Sequence, residues 1–190
     1  MSRKLTGTGT LRHAAPAGRA RGFSLIEAMI AMAVMVLLAG MALPAYQHLV
    51  QRQRVDAAMH LLTAYMASAR LTAVNLRTIT VVCPSNGQGG CRLDGDWSDG
   101  WLMFLDKDGN RQPDDPRDIL RDERAPVHPS LRIVSGSGRP QLRYLPDGRS
   151  SGSNLTVRLC QDDALLGSVI VNNAGRVRSA RPERSQPCGS

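Results

Sequence analysis

Four arginines lie close together near the C-terminus, and their chemistry is that of anion binding. They are Arg176, Arg178, Arg181 and Arg184, with Glu183 as the one acidic residue in that stretch. A guanidinium is planar, always charged, and presents paired donors that match the oxygens of phosphates and carboxylates. The stretch is therefore a candidate phosphate-binding surface. The alternative is an edge hairpin whose arginines only face solvent and protect the strand from aggregation.

The residues before these arginines predict a hairpin that would present them. Residues 169–181 read as an apolar strand, an Asn-Asn-Ala-Gly turn and a second strand, so Gly175 is expected at a positive φ. Val177 would face the core. Arg176 and Arg178 would project together from the other face, roughly 6.6 Å apart, a spacing that lets both reach backbone phosphates.

The cysteines predict disulfides rather than a metal site. All four follow the long apolar segment of the chain, and they are Cys83, Cys91, Cys160 and Cys188. Four cysteines allow three connectivities, and we favour Cys83 with Cys91 and Cys160 with Cys188, which would tie down the tail. No CxxC pair and no histidine spacing typical of ligands is present, so no metal is expected.

An acidic loop invites a calcium interpretation that its spacing does not support. Asp106 and Asp108 alternate as in a calcium loop, but the sixth position is Arg111 and the twelfth is Arg117. A solvated acidic turn is the preferred interpretation. The sequence also lacks GxSxG, HExxH, Walker A and GxGxxG motifs, so we expect neither an enzyme nor a cofactor.

One apolar segment must position all of these groups. Residues 23–46 contain a single charged side chain, Glu27, and at about 1.5 Å per residue such a helix crosses a bilayer core. A carboxylate inside a membrane segment is costly unless it meets a partner, which makes Glu27 a functional candidate. An ordinary secretory signal or a plain membrane anchor would leave Glu27 unexplained.

The residues from Gly22 to Glu27, Gly-Phe-Ser-Leu-Ile-Glu, closely resemble the type IV prepilin processing site. The resemblance implies that prepilin peptidase removes a leader, residues 1–22, by cutting between Gly22 and Phe23. It further implies N-methylation of Phe23, to give N-methylphenylalanine. Glu27 would pair with the N-terminal amine of a neighbouring subunit during assembly on an inner-membrane platform.

Charge and periodicity divide the rest of the chain. The leader carries five basic residues and no acid, so the processed chain has a formal charge of 8 − 5 = +3. Positively charged flanks stay in the cytoplasm, which places a single-pass anchor in the inner membrane and the head in the periplasm. Residues 47–76 predict an amphipathic helix that continues the anchor, so that one helix runs from Phe23 to about Asn75.

The head, residues 77–190, predicts short strands, and the fold class is therefore α+β. The predicted strands are Thr78–Cys83, Trp101–Leu105, Leu131–Val134, Leu142–Leu145, Asn154–Cys160, Ser168–Val171 and Arg176–Arg178.

Residues 92–123 hold ten acids against five bases, and residues 124–190 hold ten arginines against four acids. Such asymmetry suggests a basic face with an acidic partner.

The long helix, the β-rich head and the segment Gly100 to Asp106 resemble the FimT/GspH-type minor pilins and pseudopilins. The run Gly175-Arg176-Val177-Arg178 is similar to a glycine-arginine-x-arginine motif of FimT proteins. That resemblance implies binding of double-stranded DNA by Arg176, Arg178, Arg181 and Arg184, and DNA uptake in natural transformation (competence), with the protein in a pilus fibre or at its tip on the cell surface. The alternative is a structural priming minor pilin or a type II secretion pseudopilin, FimU- or GspH-like, whose partners are other major and minor pilins.

Overall fold

The computed structural model describes residues 24–125, 130–136 and 138–189, apart from the side chains at 44, 45 and 48. The chain divides into two compact units, one that ends at Ala45 and one that begins at Tyr46. The fold is α+β, as the sequence predicts. The elements are helix α1 (Leu25–Leu76) and strands β1 (Thr80–Pro84), β2 (Gly100–Leu105), β3 (Ile119–Arg124), β4 (Leu131–Ser135), β5 (Leu142–Tyr144), β6 (Leu155–Gln161), β7 (Ala164–Val171) and β8 (Val177–Ala180).

In the first unit, α1 exposes a continuous apolar surface. Leu25–Leu43 has a mean hydropathy of 2.3 over 19 residues, and none of that window is buried within the protein. A segment of that length and composition can cross a membrane as a helix. By length and composition, this segment is the candidate membrane anchor of the chain.

In the second unit, α1 buries one stripe against both sheets. The buried helix residues recur at intervals of three and four, and they are Val55, Ala58, Met59, Leu62, Tyr65, Met66, Ala69 and Ala73. They join the inward side chains of the strands in a single core. The stripe predicted from the sequence is therefore confirmed as core, because every third or fourth residue of a helix returns to the same face.

The strands form two four-stranded antiparallel sheets with orders β3-β2-β1-β5 and β4-β6-β7-β8. The first sheet has apolar groups on both sides, since Val81, Leu102 and Phe104 form a second cluster on the face away from α1. This explains the uninterrupted apolar runs of β1 and β2. The second sheet alternates buried and accessible residues along β6, which leaves one face toward the outside.

Two predicted strands need correction, and one strand was missed. β7 begins at Ala164 rather than Ser168, and β8 is Val177–Ala180 rather than Arg176–Arg178. β3 was not predicted, because four of its six residues are charged. It is an edge strand, and charged side chains are common there because they discourage pairing with other chains.

Tyr65 attaches α1 to the first sheet. Its ring packs edge-on against Trp101 with centroids 6.2 Å apart, and its hydroxyl donates to the Arg121 carbonyl at 2.9 Å. Burial raises the pKa of Tyr65 well above its ordinary value. The hydroxyl therefore stays protonated and remains a donor.

Candidate functional site

The turn between β7 and β8 has the predicted conformation. Gly175 lies at a φ of 77°, and its N–H donates to the Asn172 carbonyl at 2.9 Å. The Asn172 N–H in turn donates to the Arg176 carbonyl at 3.2 Å. The Asn172 side-chain oxygen accepts from the Arg176 N–H at 2.9 Å, so one asparagine closes the turn from both sides.

This turn rests on the neighbouring loop that follows β5. The Ser150 N–H donates to the Asn173 carbonyl at 3.0 Å, and the Tyr144 hydroxyl donates to the Gly175 carbonyl at 3.3 Å. These bonds connect the turn to a buried aromatic side chain of the first sheet. The turn of the hairpin is therefore held in place by these bonds.

Gly175 is required for a second reason besides its positive φ. A Cβ at this position would collide with the Gly148 carbonyl, which is backbone and cannot move aside easily. That same carbonyl accepts a hydrogen bond from Arg70 Nε of α1 at 2.9 Å. Arg70 and Tyr144 therefore support the hairpin. Neither was predicted from the sequence, because both lie far from the hairpin along the chain.

The first two candidate arginines are exposed. Arg178 lies in β8, whereas Arg176 belongs to the turn just before it, so the predicted spacing within a single strand does not apply. Val177 is half-buried and packs on the core, as expected. No carboxylate within residues 24–125, 130–136 and 138–189 forms an ion pair with Arg176 or Arg178.

The other two candidates lie in the tail. Arg181 forms an ion pair with Asp56 of α1, so its charge is partly neutralised inside the protein. Arg184 is exposed. The structure therefore does not present four equivalent arginines, and those without an ion pair to any described residue are Arg176, Arg178 and Arg184.

The tail that carries these two arginines is held by covalent and hydrogen bonds. Disulfides join Cys83 to Cys91 and Cys160 to Cys188, the connectivity that we favoured from the sequence. The Cys188 N–H donates to the Asp163 carbonyl at 2.6 Å. Both contacts keep the tail beside the β6–β7 turn.

Strand register places two more arginines on the outer face of the second sheet. Arg178 pairs with Ile170 of β7, and one row further along Arg158 lies in register with Ser168. Arg132 pairs with Cys160 across β4 and β6, at the opposite edge of the sheet from Arg178. Arg158 was not predicted to share this face with Arg178, because the order and register of β6, β7 and β8 become known only from the structure.

At the N-terminus of α1, the Ser24 side chain caps the helix by accepting from the Glu27 backbone. The Glu27 N–H donates to the Ser24 hydroxyl oxygen at 3.2 Å, and the Ala28 N–H donates to the Ser24 carbonyl at 3.2 Å. A serine followed three residues later by glutamate is the pattern of a capping box, and this signal for the cap is present in the sequence alone. Gly22 and Phe23 lie outside the described residues.

Comparison with protein families decides the assignment. The family model described as type II transport protein GspH matches residues 58–175, more than half of the chain. The chain belongs to the GspH family. The prokaryotic N-terminal methylation motif matches residues 18–43, which include Gly22, Phe23 and Glu27. This GspH-family protein is thus a minor pilin or pseudopilin with a membrane-anchoring N-terminal helix.

Solved structures agree on the fold. Two crystal forms of the type IV minor pilin FimU from Pseudomonas aeruginosa match with TM-scores of 0.57 and 0.53, each at 19% sequence identity. The matches cover 73% and 70% of this chain, and 98% and 99% of the FimU chains. No curated protein matches the chain. The family and the fold are those of pilin structural proteins, which assemble with other pilins after processing by prepilin peptidase.

The acidic loop of this GspH-family protein departs from the predicted solvated turn at Asp106, whereas Asp108 and Asn110 are exposed as expected. Asp106 is buried, and its Oδ1 accepts from the N–H groups of Gly109 at 3.0 Å and Arg111 at 3.3 Å. Its Oδ2 lies 3.4 Å from Arg143 Nε. The turn therefore satisfies Oδ1 with two hydrogen bonds, whereas Oδ2 faces the charge of Arg143 without a hydrogen bond. Within the described ranges, no three His, Cys, Asp or Glu side chains are grouped as metal ligands.

Proposed function

We propose that this protein is a minor pilin of a type IV pilus that binds double-stranded DNA through its C-terminal arginine hairpin and supports DNA uptake in natural transformation. One observation carries the proposal. Arg176 and Arg178 are exposed on a hairpin whose turn is held by Gly175 and Tyr144, and no carboxylate in the described part of the chain pairs with them.

Phosphate contacts would supply the affinity. Arginine forks match phosphate oxygens, and contacts to the backbone carry little sequence information. Each neutralised phosphate releases condensed counterions, so three contacts from Arg176, Arg178 and Arg184 give a log–log salt slope of about −2.7. Arg181 adds less because Asp56 already compensates it. Several copies in a fibre would raise the avidity of a weak single site.

A pair of double variants tests this proposal. Arg176→Gln with Arg178→Gln removes two exposed charges from the hairpin. Arg124→Gln with Arg132→Gln removes two exposed charges from other strands of the same basic half. Arg143 is unsuitable as a control because it contacts buried Asp106. The measurement is binding of unrelated duplexes to the processed full-length protein in detergent micelles at several salt concentrations.

We expect the hairpin pair to weaken binding equally for all duplexes and to lower the magnitude of the salt slope by roughly 1.8. The control pair should change binding much less. If both double variants lose the same amount of DNA affinity, or if the wild type binds no DNA at low salt, the assignment of the site to the hairpin is wrong.

A structural subunit is the second candidate function. In that case the protein is a priming minor pilin or a secretion pseudopilin, and its arginines meet acidic neighbours. The ion pair of Arg181 with Asp56 favours this candidate, since it is a tail arginine already matched to a carboxylate. The family match also ends at Gly175, before the first candidate arginine. Two results together would support this candidate. The double variant Arg176→Gln with Arg178→Gln would fail to assemble into pili, and the wild type would not bind DNA.

We also propose that cleavage occurs between Gly22 and Phe23, that Phe23 is N-methylated, and that Glu27 pairs with the terminal amine of a neighbour. The head would be exported to the periplasm while the anchor stays in the inner membrane. The motif match over residues 18–43 and the lone acid in the apolar segment support this. A structural role for Glu27 in the helix cap is the competing explanation.

Glu27→Gln separates assembly from capping. Glutamine keeps the capping-box pattern but loses the charge, whereas Ser24→Ala removes the cap and keeps the acid. We expect Glu27→Gln to enter sheared fibres poorly and Ser24→Ala to enter them nearly as well as the wild type. The reverse result would assign Glu27 to the helix cap alone. Immunoblots of sheared fibres against whole-cell protein give the measurement.

A further inference from the structure

A recess in the head is lined by three arginines that neither the hairpin nor the membrane anchor uses. Its volume is about 500 Å³, and its charged walls are Arg111, Arg139 and Arg143. Ser151 and Gln141 add polar groups, and Leu93 adds an exposed apolar wall. Specific ligand pockets commonly have this size, and the mainly polar, basic lining of this one suits an anionic group.

The positive charge in this recess is incompletely compensated. Arg143 has buried Asp106 as a partner at 3.4 Å. Arg139 donates through Nη2 to the Ser150 hydroxyl oxygen and the Ser151 carbonyl, both at 2.6 Å and both neutral. In the part of the chain that the structure describes, neither Arg139 nor Arg111 forms an ion pair with a carboxylate.

Arg139 shows the cost of this arrangement. Its Nη1 is enclosed and has no hydrogen-bond partner among the described residues. Burial lowers the pKa of Arg139 below its ordinary value, because no negative charge replaces the water that the guanidinium has lost. An anion beside Arg139 would offset that loss, and the interaction would be stronger there than at an exposed site because the recess excludes part of the solvent.

The shape of the site favours a protein carboxylate over the backbone of a duplex. Duplex phosphates lie on a convex surface and are reached by protruding side chains, such as those of Arg176 and Arg178. A single Asp or Glu side chain can enter a recess and accept a charge-assisted hydrogen bond from an accessible guanidinium such as that of exposed Arg111. Members of this family assemble with other pilins, which supplies protein partners at the head surface.

We propose that the recess lined by Arg111, Arg139 and Arg143 is a docking site for an acidic side chain of a neighbouring pilin subunit. Its occupant is an Asp- or Glu-bearing segment, and its role is to fix the orientation of the two heads. The site does not depend on DNA binding by the hairpin, because Arg176 and Arg178 do not line it.

A matched pair of peptides tests the site. The probe is a fluorescent, C-terminally amidated peptide of alternating Asp and Gly, and the control has Asn in place of each Asp. Anisotropy is measured at low salt with the full-length protein in detergent micelles. We expect the Asp peptide to bind and the Asn peptide to bind at least tenfold more weakly, since one charged hydrogen bond is worth roughly tenfold in affinity.

Two variants locate the binding. Arg111→Gln changes an exposed side chain and should weaken the Asp peptide about tenfold. Arg139→Lys keeps the charge but loses the fork, and it should weaken the peptide too. The double variant Arg176→Gln with Arg178→Gln should bind the peptide as the wild type does. Fluorescence of the buried Trp97 and Trp101 confirms that each variant is folded.

Two results would overturn the proposal. Equal binding of the Asp and Asn peptides would show that the recess does not recognise carboxylates. Displacement of the Asp peptide by duplex DNA, together with a loss of DNA binding in Arg111→Gln as large as in the hairpin pair, would assign the recess to a nucleic-acid surface instead. The comparison of the Asp and Asn peptides does not depend on whether the hairpin itself binds DNA.

Discussion

The acidic stretch, residues 92–123, and the basic stretch, residues 124–190, differ in how far their basic side chains form ion pairs within the stretch. In the acidic stretch, Arg92 bonds to Asp94 at 2.6 Å and Asp99 at 2.7 Å. The hydrogen bond between Arg92 and Asp94 raises the pKa of Arg92 and lowers that of Asp94. Lys107 pairs with Asp118, and Arg117 pairs with Asp115. Most of its bases are therefore matched locally.

The basic stretch has few such matches. Of its ten arginines, Arg143 and Arg181 form ion pairs within the described residues, and both reach carboxylates outside the stretch, Asp106 and Asp56. Charges that a protein matches internally serve its own fold, and charges that it leaves unmatched on the surface are available to external anions. Partners are therefore to be sought at the basic stretch.

Removal of Asp106 should cause the largest loss of folding stability, because its buried carboxylate connects the acidic stretch to the basic stretch. Asp106→Ala leaves Arg143 without its carboxylate and the N–H groups of Gly109 and Arg111 without their acceptor. We expect a loss of about 3–5 kcal/mol in the free energy of unfolding. Denaturant titration followed by the fluorescence of the two tryptophans, both buried, measures it.

The isosteric variant separates the two contributions. Asp106→Asn keeps an oxygen for the turn but loses the charge opposite Arg143, so its cost should lie between those of the wild type and Asp106→Ala. If Asp106→Ala costs less than about 1 kcal/mol, the carboxylate does not hold the two stretches together.

Local patterns were enough to predict much of the fold. The amphipathic pattern of residues 47–76 predicted a helix with one buried face, and the turn sequence before Gly175 predicted its positive φ. Both features depend on interactions between residues that are close in the chain. Such features follow from helical periodicity and from the stereochemistry of glycine.

Features that depend on distant residues were not predictable. Arg181 and Asp56 are 125 positions apart, and nothing near either residue indicates the other. Asp106 lies among other acidic residues in the sequence, which suggested that it is exposed. Its buried position involves Arg143 of β5, which is distant along the chain. The support of the hairpin by Arg70 and Tyr144 was hidden for the same reason.

The smallest effect should come from Arg178, whose charge is unmatched within the described residues. If that charge serves an external anion, Arg178→Gln should change the free energy of unfolding by no more than about 0.5 kcal/mol, as at an ordinary exposed position. Arg143→Gln is the matched variant. It makes the same chemical change at a half-buried guanidinium beside buried Asp106, and it should cost clearly more.

The same denaturant titration, with and without a short duplex, gives both readouts for Arg178. A ligand that binds only the folded state raises its stability, so duplex should stabilise the wild type more than Arg178→Gln. Equal stabilisation of both would remove Arg178 from the DNA surface. If Arg178→Gln without duplex lowers the free energy of unfolding as much as Arg143→Gln does, the hairpin arginine serves the fold. The contrast between the two stretches would then not extend to β8.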